Sequence, residues 1–547
     1  MGFRFQHWEA RVPKTPKDFS ELGAILFENR SFSPIKKLDY GDHGLEAALH
    51  TIRRAIAENK KVALYADYDV DGTMSCVSWI WFFQAIGFSN FVHYIPCRFK
   101  EGYGLNLDAV KYLVEDEKAE LIITMDTGIT ANEEAAYCAA RGVGFVCTDH
   151  HKIQPDKMPN CIILNPKLHP EELYQELCGC GITFVLLRRL AEYYSLSPEL
   201  WTDLLALAGL ATICDIVPLN PVNHELARLG VRALMRSRRP VLRQLREAAS
   251  LQSGMDEKDV GFRLGPRINA VGRLGHADQV VRAFVEQNPA QLIDYMDSCN
   301  AERKTIQARI VREASAEAKR FLRDPVLFLG GDWHPGVVGI AASKIAETYW
   351  RPTWLFERKD GRGKGSARSI PGFDVTEAMQ AVGDLFIKFG GHRAAGGFTF
   401  DLGNEEAIRE KLNQYAAAKQ RELPKLWEST IQYDCTLPVE LAELRLAEEL
   451  ETLKPFGHGF EEPRFLIEAE IAGVQYFKDK RTGEPKHTAV MIRRQNGLAQ
   501  KILFFNEVFD VFESATRARF VVSASRNEFR GQVSLSLMGH DYEVVDV

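Results

Sequence analysis

The sequence predicts a doubly wound α/β fold, a parallel sheet covered by helices on both faces, joined by a long helix to a smaller α/β domain and a C-terminal β-barrel. Three observations carry this. Short apolar runs alternate with helical patterns before residue 165, a turn-poor helical stretch runs from 279 to 323, and after residue 463 the pattern turns to short strands. At 547 residues the chain exceeds what one core serves, so about three or four domains are expected.

The elements follow in order. Residues 61 to 66 (KVALYA), 90 to 95 (NFVHYI), 120 to 125 (ELIITM), 143 to 148 (VGFVCT) and 161 to 164 (CIIL) read as strands, with helices at 73 to 86, 107 to 116 and 131 to 141. The stretch NAERKTIQARIVREASAEAKRFL is helical throughout. RFLIEAEIAGVQYF, HTAVMIRR, QKILFF, ARFVVSASR and QVSLSLM then give about five strands, which suits a small barrel of the OB type. Tyr476, Phe477, Lys478, Lys480 and Arg481 interleave aromatic and basic side chains, as barrels that bind single strands do; a plain hairpin end fits that stretch nearly as well.

Composition narrows the class. With 46% hydrophobic and 26% charged residues the chain reads as globular, and a net charge of -6 excludes a uniformly basic nucleic-acid coat. One candidate basic patch is Arg228, Arg232, Arg236, Arg238, Arg239, Arg243 and Arg246, for which a solvated helix face serves equally well. The ten cysteines sit mostly in apolar runs and read as reduced, buried thiols; Cys178-Gly-Cys180 is too tight for a usual zinc site. MGFRFQHWEARVPK lacks an apolar signal core, and residues 73 to 88 are too short to span a bilayer, so a cytoplasmic protein with no membrane partner is expected.

The polar residues collect where such sheets bind ligands, beyond the C-terminal ends of the strands. The first strand runs into Asp67-Tyr-Asp69-Val-Asp71-Gly72, the third into Asp126-Thr127-Gly128, the fourth into Asp149-His150-His151; Asp215 follows the apolar helix LLALAGLATIC. Carboxylates gathered in one cleft repel unless protonated or bound to cations. An oxygen-rich set with one or two imidazoles suits Mn²⁺ or Mg²⁺, and two such ions can drive hydrolysis of a phosphate ester. Asp-x-Asp-x-Asp-Gly is not an EF-hand loop, because the closing glutamate is absent.

DYDVDG (67 to 72), MDTG (125 to 128), TDHH (148 to 151) and CDIVPL (214 to 219) resemble successive motifs of the DHH phosphoesterase superfamily. GPRINAVGR (265 to 273), DWHPGVVGIAASK (332 to 344), GSARSIPGFD (365 to 374) and GGHRAAGG (390 to 397) look like the RecJ family within it. The resemblance implies a 5′ to 3′ exonuclease specific for single-stranded DNA, releasing mononucleotides in repair and recombination with two divalent cations. It implies Asp69, Asp71, Asp126, His150 and Asp215 as metal ligands, with Asp126 bridging. Asp67 joins them, although other branches place a histidine two residues earlier, and His151 is assigned to substrate phosphate or to orienting the site. Arg98, Ser366 and Arg368 resemble the pocket for the 5′-phosphate, and Arg267, Asn269, Arg273 and His334 fall in segments that contact substrate; Tyr103, in EGYGL, suits either stacking on a base or packing as a loop aromatic. Gly390, Gly391, Gly396 and Gly397 let backbone amides approach phosphate around His392, which closure of the second domain would bring to the scissile bond.

The expected domains are an N-terminal segment (1 to 45), the DHH catalytic domain (46 to 278), a connecting helix (279 to 323), the DHH-associated domain (324 to 422) and the OB-type domain (423 to 547). Expected partners are single-stranded DNA with a 5′ end, a helicase and a single-strand-binding protein, around a monomer. The alternatives are an oligoribonuclease or cyclic-dinucleotide phosphodiesterase of the same superfamily, and a catalytically silent replication scaffold.

Overall fold

The structure, a computed structural model, describes residues 4–30, 40–102, 104–252, 254–479, 481–494, 497 and 499–546. Tyr103 and Lys480 lie outside the described residues. The chain divides into two compact units, residues 33–303 with 455–461, and residues 1–32 with 304–454 and 462–547.

In the first unit, β1 (Val62–Ala66), β2 (Phe91–Tyr94), β3 (Leu121–Met125), β4 (Gly144–Thr148) and β5 (Ile162–Leu164) form a parallel sheet in the order β2-β1-β3-β4-β5. Successive side chains alternate between two cores, as the pleat requires. Val62, Leu64, Ala66, Leu121, Ile123, Met125 and Val146 pack with α1 (Val70–Ile86), α2 (Gly179–Tyr193) and α3 (Pro198–Cys214). Ala63, Tyr65, Ile122, Phe145 and Cys147 face the other way, against the helices Leu107–Lys111 and Asn132–Ala139. Both faces are therefore covered, and each fully buried aliphatic side chain contributes about 1.5–3 kcal/mol. Helix α1 is buried from Val70 to Phe83 because it lies among the sheet, α2 and α3. Ser75 and Ser78, which interrupt its apolar run, bond the carbonyls of Asp71 and Met74 one turn back. Helix α3 crosses α4 (Pro221–Arg236) glycine on glycine: a Cβ on Gly209 would stand 2.5 Å from Gly230 Cα. That close approach leaves no room for a side chain at either glycine.

One expectation changes here. The stretch 279 to 323 is not one helix. It is Asp278–Val285, then α5 (Ala290–Ala318) and a 3-10 turn, with Glu286 extended and Pro289 disfavouring helix at the residue before it. In the arginine-rich stretch, read as either a basic patch or a solvated helix face, four of the seven side chains are engaged within the fold. Arg228 pairs with Glu225 at 2.6 Å, Arg239 pairs with Asp203 at 2.6 Å and lies over the Trp81 ring, Arg243 faces Glu247, and Arg246 donates to the Leu234 carbonyl.

The second unit holds a mixed sheet of β6 (Leu327–Gly331), β7 (Thr353–Lys359), β8 (Arg362–Arg368), β9 (Phe386–His392) and β10 (Ala395–Asp401), ordered β9-β10-β8-β7-β6. Helix α6 (Val338–Tyr349) makes the crossover between the parallel pair β6 and β7. The C-terminal strands are β11 (Arg464–Lys478), β12 (Pro485–Arg493), β13 (Ala499–Phe504), β14 (Arg517–Phe529) and β15 (Gln532–Asp546). Residues 464 to 470 of β11 pair with β14, and from Ile471 onward, with a register slip between Ile471 and Gly473, the strand pairs with β12. One bent strand thus serves two neighbours, as an OB-type fold needs, while β13 meets β15 through two residue pairs only. The N-terminal strand His7–Ala10 runs parallel to Thr430–Tyr433, and the buried ion pair Arg30–Asp434 (2.7 Å) ties this segment down.

Candidate metal centre

The order of the first sheet reverses between β1 and β3, and the crevice outside their carboxyl ends is the natural ligand site of such a sheet. The loop after β1 delivers three acids in five residues. Asp69 caps α1, its Oδ1 accepting from the amides of Asp71 (2.9 Å) and Gly72 (3.2 Å). Both oxygens of Asp71 are held by the first amides of α2, Gly179 (2.6 Å) and Cys180 (2.7 Å). Gly72 is obligatory, since a Cβ there would stand 2.3 Å from the Asp67 carbonyl oxygen. Asp126 follows β3 in the left-handed region (φ 60°), its amide tied to the Thr148 carbonyl. Asp215 caps the C-terminus of α3.

These side chains converge. His150 Nε2 lies 3.1 Å from Asp126 Oδ1, 3.5 Å from Asp215 Oδ2 and 3.6 Å from Asp71 Oδ2. Three sets offer ligand atoms within 4.8 Å of one another: Asp126, His150 and His151; Asp71, His150 and Asp215; Asp67, Asp69 and Asp126. Asp126 and His150 each belong to two sets. Asp67 Oδ1 and Asp126 Oδ1 are buried without a hydrogen bond, a costly state for a carboxylate unless a cation completes it. Burial, reinforced by the neighbouring carboxylates, raises Asp67, Asp126 and Asp215 well above the ordinary range and pushes Asp71 up to about 6. The donor set is oxygen and imidazole, while burial keeps the nearby Cys178 thiol protonated. It therefore fits hard divalent ions such as Mn²⁺ or Mg²⁺.

Asp149 had no assigned role in the sequence, yet it organises the imidazoles. Its Oδ1 accepts from the amides of His150 and His151 and from His151 Nδ1 at 2.7 Å, and Oδ2 accepts from the Ile129 amide. A carboxylate can only accept, so Nδ1 carries the proton. Burial depresses His151, but the bond to Asp149 and the charges of Asp149, Asp69 and Asp71 outweigh it and hold the ring above the usual histidine range. Lys167 was also missed. Asn165 bonds the Lys167 amide and the His151 carbonyl, and the Lys167 charge acts on Asp215. Neither residue carries a motif strong enough to read in advance.

The remaining predicted contacts divide. Arg98 lies over the Tyr68 ring (5.1 Å) and its charge acts on Asp67; Arg273 acts on Tyr68. Asn269 bonds the Val70 amide and so supports the start of α1. Arg267 is committed to Asp297 (2.5 Å) and to the carbonyls of Arg263 and Ala248, an internal tie rather than an open donor. His334, Ser366, Arg368 and His392 belong to the other unit. There His334 Nδ1 accepts from the Gly336 amide, and Ser366 and Arg368, two residues apart on β8, crowd Gly339 near the start of α6: a Cβ there would stand 2.9 Å from Arg368 Nη2. Gly390 and Gly391 pair with Gly397 and Gly396 across β9 and β10, with His392 exposed at the end of β9. In the OB-type fold Phe477, Lys478, Arg481, Lys486, His487 and Phe505 line a groove of about 690 Å³.

An acid and imidazole cluster at the reversal point of a parallel sheet, with a smaller α/β sheet downstream, is the architecture of the DHH class, and family models agree: the DHH family, N-terminal domain matches residues 61–211 and the DHHA1 domain residues 323–418. The RecJ OB domain matches residues 433–541. The chain belongs to the RecJ family. It is 30% identical over 530 residues to the single-stranded-DNA-specific exonuclease RecJ of Dickeya dadantii, covering 90% of this chain and 89% of that one. It is 32% identical over 531 residues to RecJ of Bacillus subtilis, covering 94% of this chain but 66% of the relative's length. The crystal structure of RecJ in complex with Mn²⁺ from Thermus thermophilus superposes with a TM-score of 0.83 at 25% identity, over 99% of this chain and 80% of that one. Among the described residues no helix is long and apolar enough to cross a membrane.

Proposed function

We propose that this chain is a metal-dependent exonuclease that degrades single-stranded DNA from the 5′ end to mononucleotides. The observation that carries it is Asp126, shared between two sets of candidate ligands, with a buried oxygen that lacks a hydrogen bond.

Asp67, Asp69, Asp71, Asp126, His150 and Asp215 would hold two divalent cations, Mn²⁺ or Mg²⁺. When bound, such ions supply Lewis-acid activation of water and neutralise the phosphodiester. The chain's own groups do the rest. Asp126 positions the centre from the left-handed turn after β3. His151 donates Nδ1–H to Asp149, and the same carboxylate favours the cationic ring, whose Nε2–H would then be a donor to a phosphate oxygen. Arg98, Ser366 and Arg368 are assigned to the terminal phosphate, where forked cations and a hydroxyl suit a dianion, and His392 with the Gly390, Gly391, Gly396 and Gly397 amides to the phosphate being cut. Lys478 and Arg481, beside Phe477, provide a second, sequence-tolerant hold on the strand. The setting is the cytoplasm, where a helicase and a single-strand-binding protein would supply the substrate to a monomer.

The test is digestion of end-labelled DNA and RNA single strands with Mn²⁺ or Mg²⁺. Mononucleotides from the 5′ end of DNA are expected, and Asp126→Ala should abolish them with the fold intact. Turnover by the clean variant would sink the assignment, preference for short RNA would favour the oligoribonuclease alternative, and an inactive wild type would favour a scaffold.

A further inference from the structure

Ile216 follows Asp215 directly and occupies the left-handed region at φ 59°. Of the non-glycine residues in that region, it alone among those described is β-branched. A branched Cβ clashes there with the following peptide, so glycine or asparagine is the ordinary choice just past a helix end. The conformation is imposed from both sides. Asp215 donates its amide to Ala211 O (2.8 Å) to finish α3, and Cys214 packs against Gly265. On the far side Val217 is buried, Asn223 Nδ2 bonds the Pro218 carbonyl at 2.9 Å, and the Leu219 amide bonds His458 O at 2.7 Å.

The backbone would thus be better served by glycine, and packing does not compensate, because Ile216 is 67% exposed. An exposed isoleucine alone needs no explanation. One that is strained, unpacked and next to a carboxylate 3.5 Å from His150 Nε2 does, since strain held by its surroundings gathers at working sites.

We infer that Ile216 is a substrate-contacting residue, its aliphatic side chain forming the apolar wall for the nucleoside attached to the phosphate at the acid cluster. This rests on the proposed hydrolysis of single-stranded DNA. An aliphatic wall presents no donor or acceptor, so it takes any base. It acts on bound substrate and on the transition state alike, and so moves KM rather than kcat.

The experiment compares wild type with Ile216→Gly, Ile216→Asn and Ile216→Val in steady-state digestion of single-stranded DNA, with Mn²⁺ activation midpoints and thermal unfolding alongside. Glycine and asparagine both suit the backbone but remove the apolar surface, so KM should rise about five- to tenfold with kcat within twofold, as expected for losing part of one aliphatic contact. Unfolding temperature should stay level or rise, the Mn²⁺ midpoint should stay unchanged, and valine should keep the wild-type KM. An unchanged KM in the glycine and asparagine variants overturns the inference, as does a KM rise that tracks a weaker Mn²⁺ midpoint, since that would mark displacement of Asp215. If wild type itself digests no single strand, the hydrolysis reading fails instead.

Discussion

Gly179→Ala tests the geometry of the centre most directly. Inside a helix alanine is favoured over glycine by about 0.5–1 kcal/mol, so propensity gives no reason for glycine at the first position of α2. Here the added Cβ would stand 2.7 Å from Asp126 Cβ, 2.9 Å from its Cα and 3.1 Å from its amide nitrogen. Ordinary contact begins near 3.4 Å, so the two elements must part by about 0.7 Å. No side-chain rotation can relieve this, because the obstructing atoms are the Asp126 backbone and its first carbon. Either Asp126 moves, or α2 moves and takes with it the amides of Gly179 and Cys180 that hold Asp71. Overpacking of this kind costs about 1–3 kcal/mol of stability. A misplacement approaching 1 Å costs about a hundredfold in rate. The assay is initial mononucleotide release across a Mn²⁺ titration, with circular dichroism to establish that the variant is folded. A rate within twofold of wild type at the wild-type Mn²⁺ midpoint would refute the reasoning.

Two further outcomes follow from the electrostatics. Asp71, pushed up to about 6, is protonated before an ordinary carboxylate as pH falls, so between pH 7 and pH 5 Mn²⁺ binding should weaken about tenfold through this residue alone, with Asp67, Asp126 and Asp215 adding in the same direction. The metal-free fold should gain stability over that window, because raised carboxyls take up protons in the folded state first. Calorimetric Mn²⁺ titration and thermal unfolding in chelator measure both, and a pH-independent affinity counts against the buried cluster. Asp149→Asn removes the negative charge beside His151 and sets an amide, half donor, among groups that all donate. It should lower the histidine pKa, shift the basic limb of the pH–rate profile downward and cut activity about 10- to 100-fold; an unshifted profile would remove Asp149 from the positioning role.

The parallel sheet was legible because its period and its punctuation agree: five apolar runs with helices between them can bury both faces in few ways. The acids were legible because each sits where a strand or a buried helix ends, and in such a fold those ends share an edge. Less was legible where chemistry depends on partners far away in sequence. Arg267 reads as a substrate contact within GPRINAVGR, but Asp297, thirty residues on, takes its guanidinium. Arg239, in the arginine-rich run, is likewise taken by Asp203, 36 residues earlier in the chain.

Local pattern therefore determined the element types, the fold class and which residue types reach the crevice, since these depend on neighbours a few positions apart. Tertiary structure alone decided that Asp71 is gripped by the first amides of α2, that Gly179 must lack a side chain for Asp126 to sit where it does, that Asp149 sets the proton on His151, and that Ile216 is strained and exposed. Each of these is a contact fixed by three-dimensional placement or a backbone angle held by anchors on either side, and periodicity encodes neither.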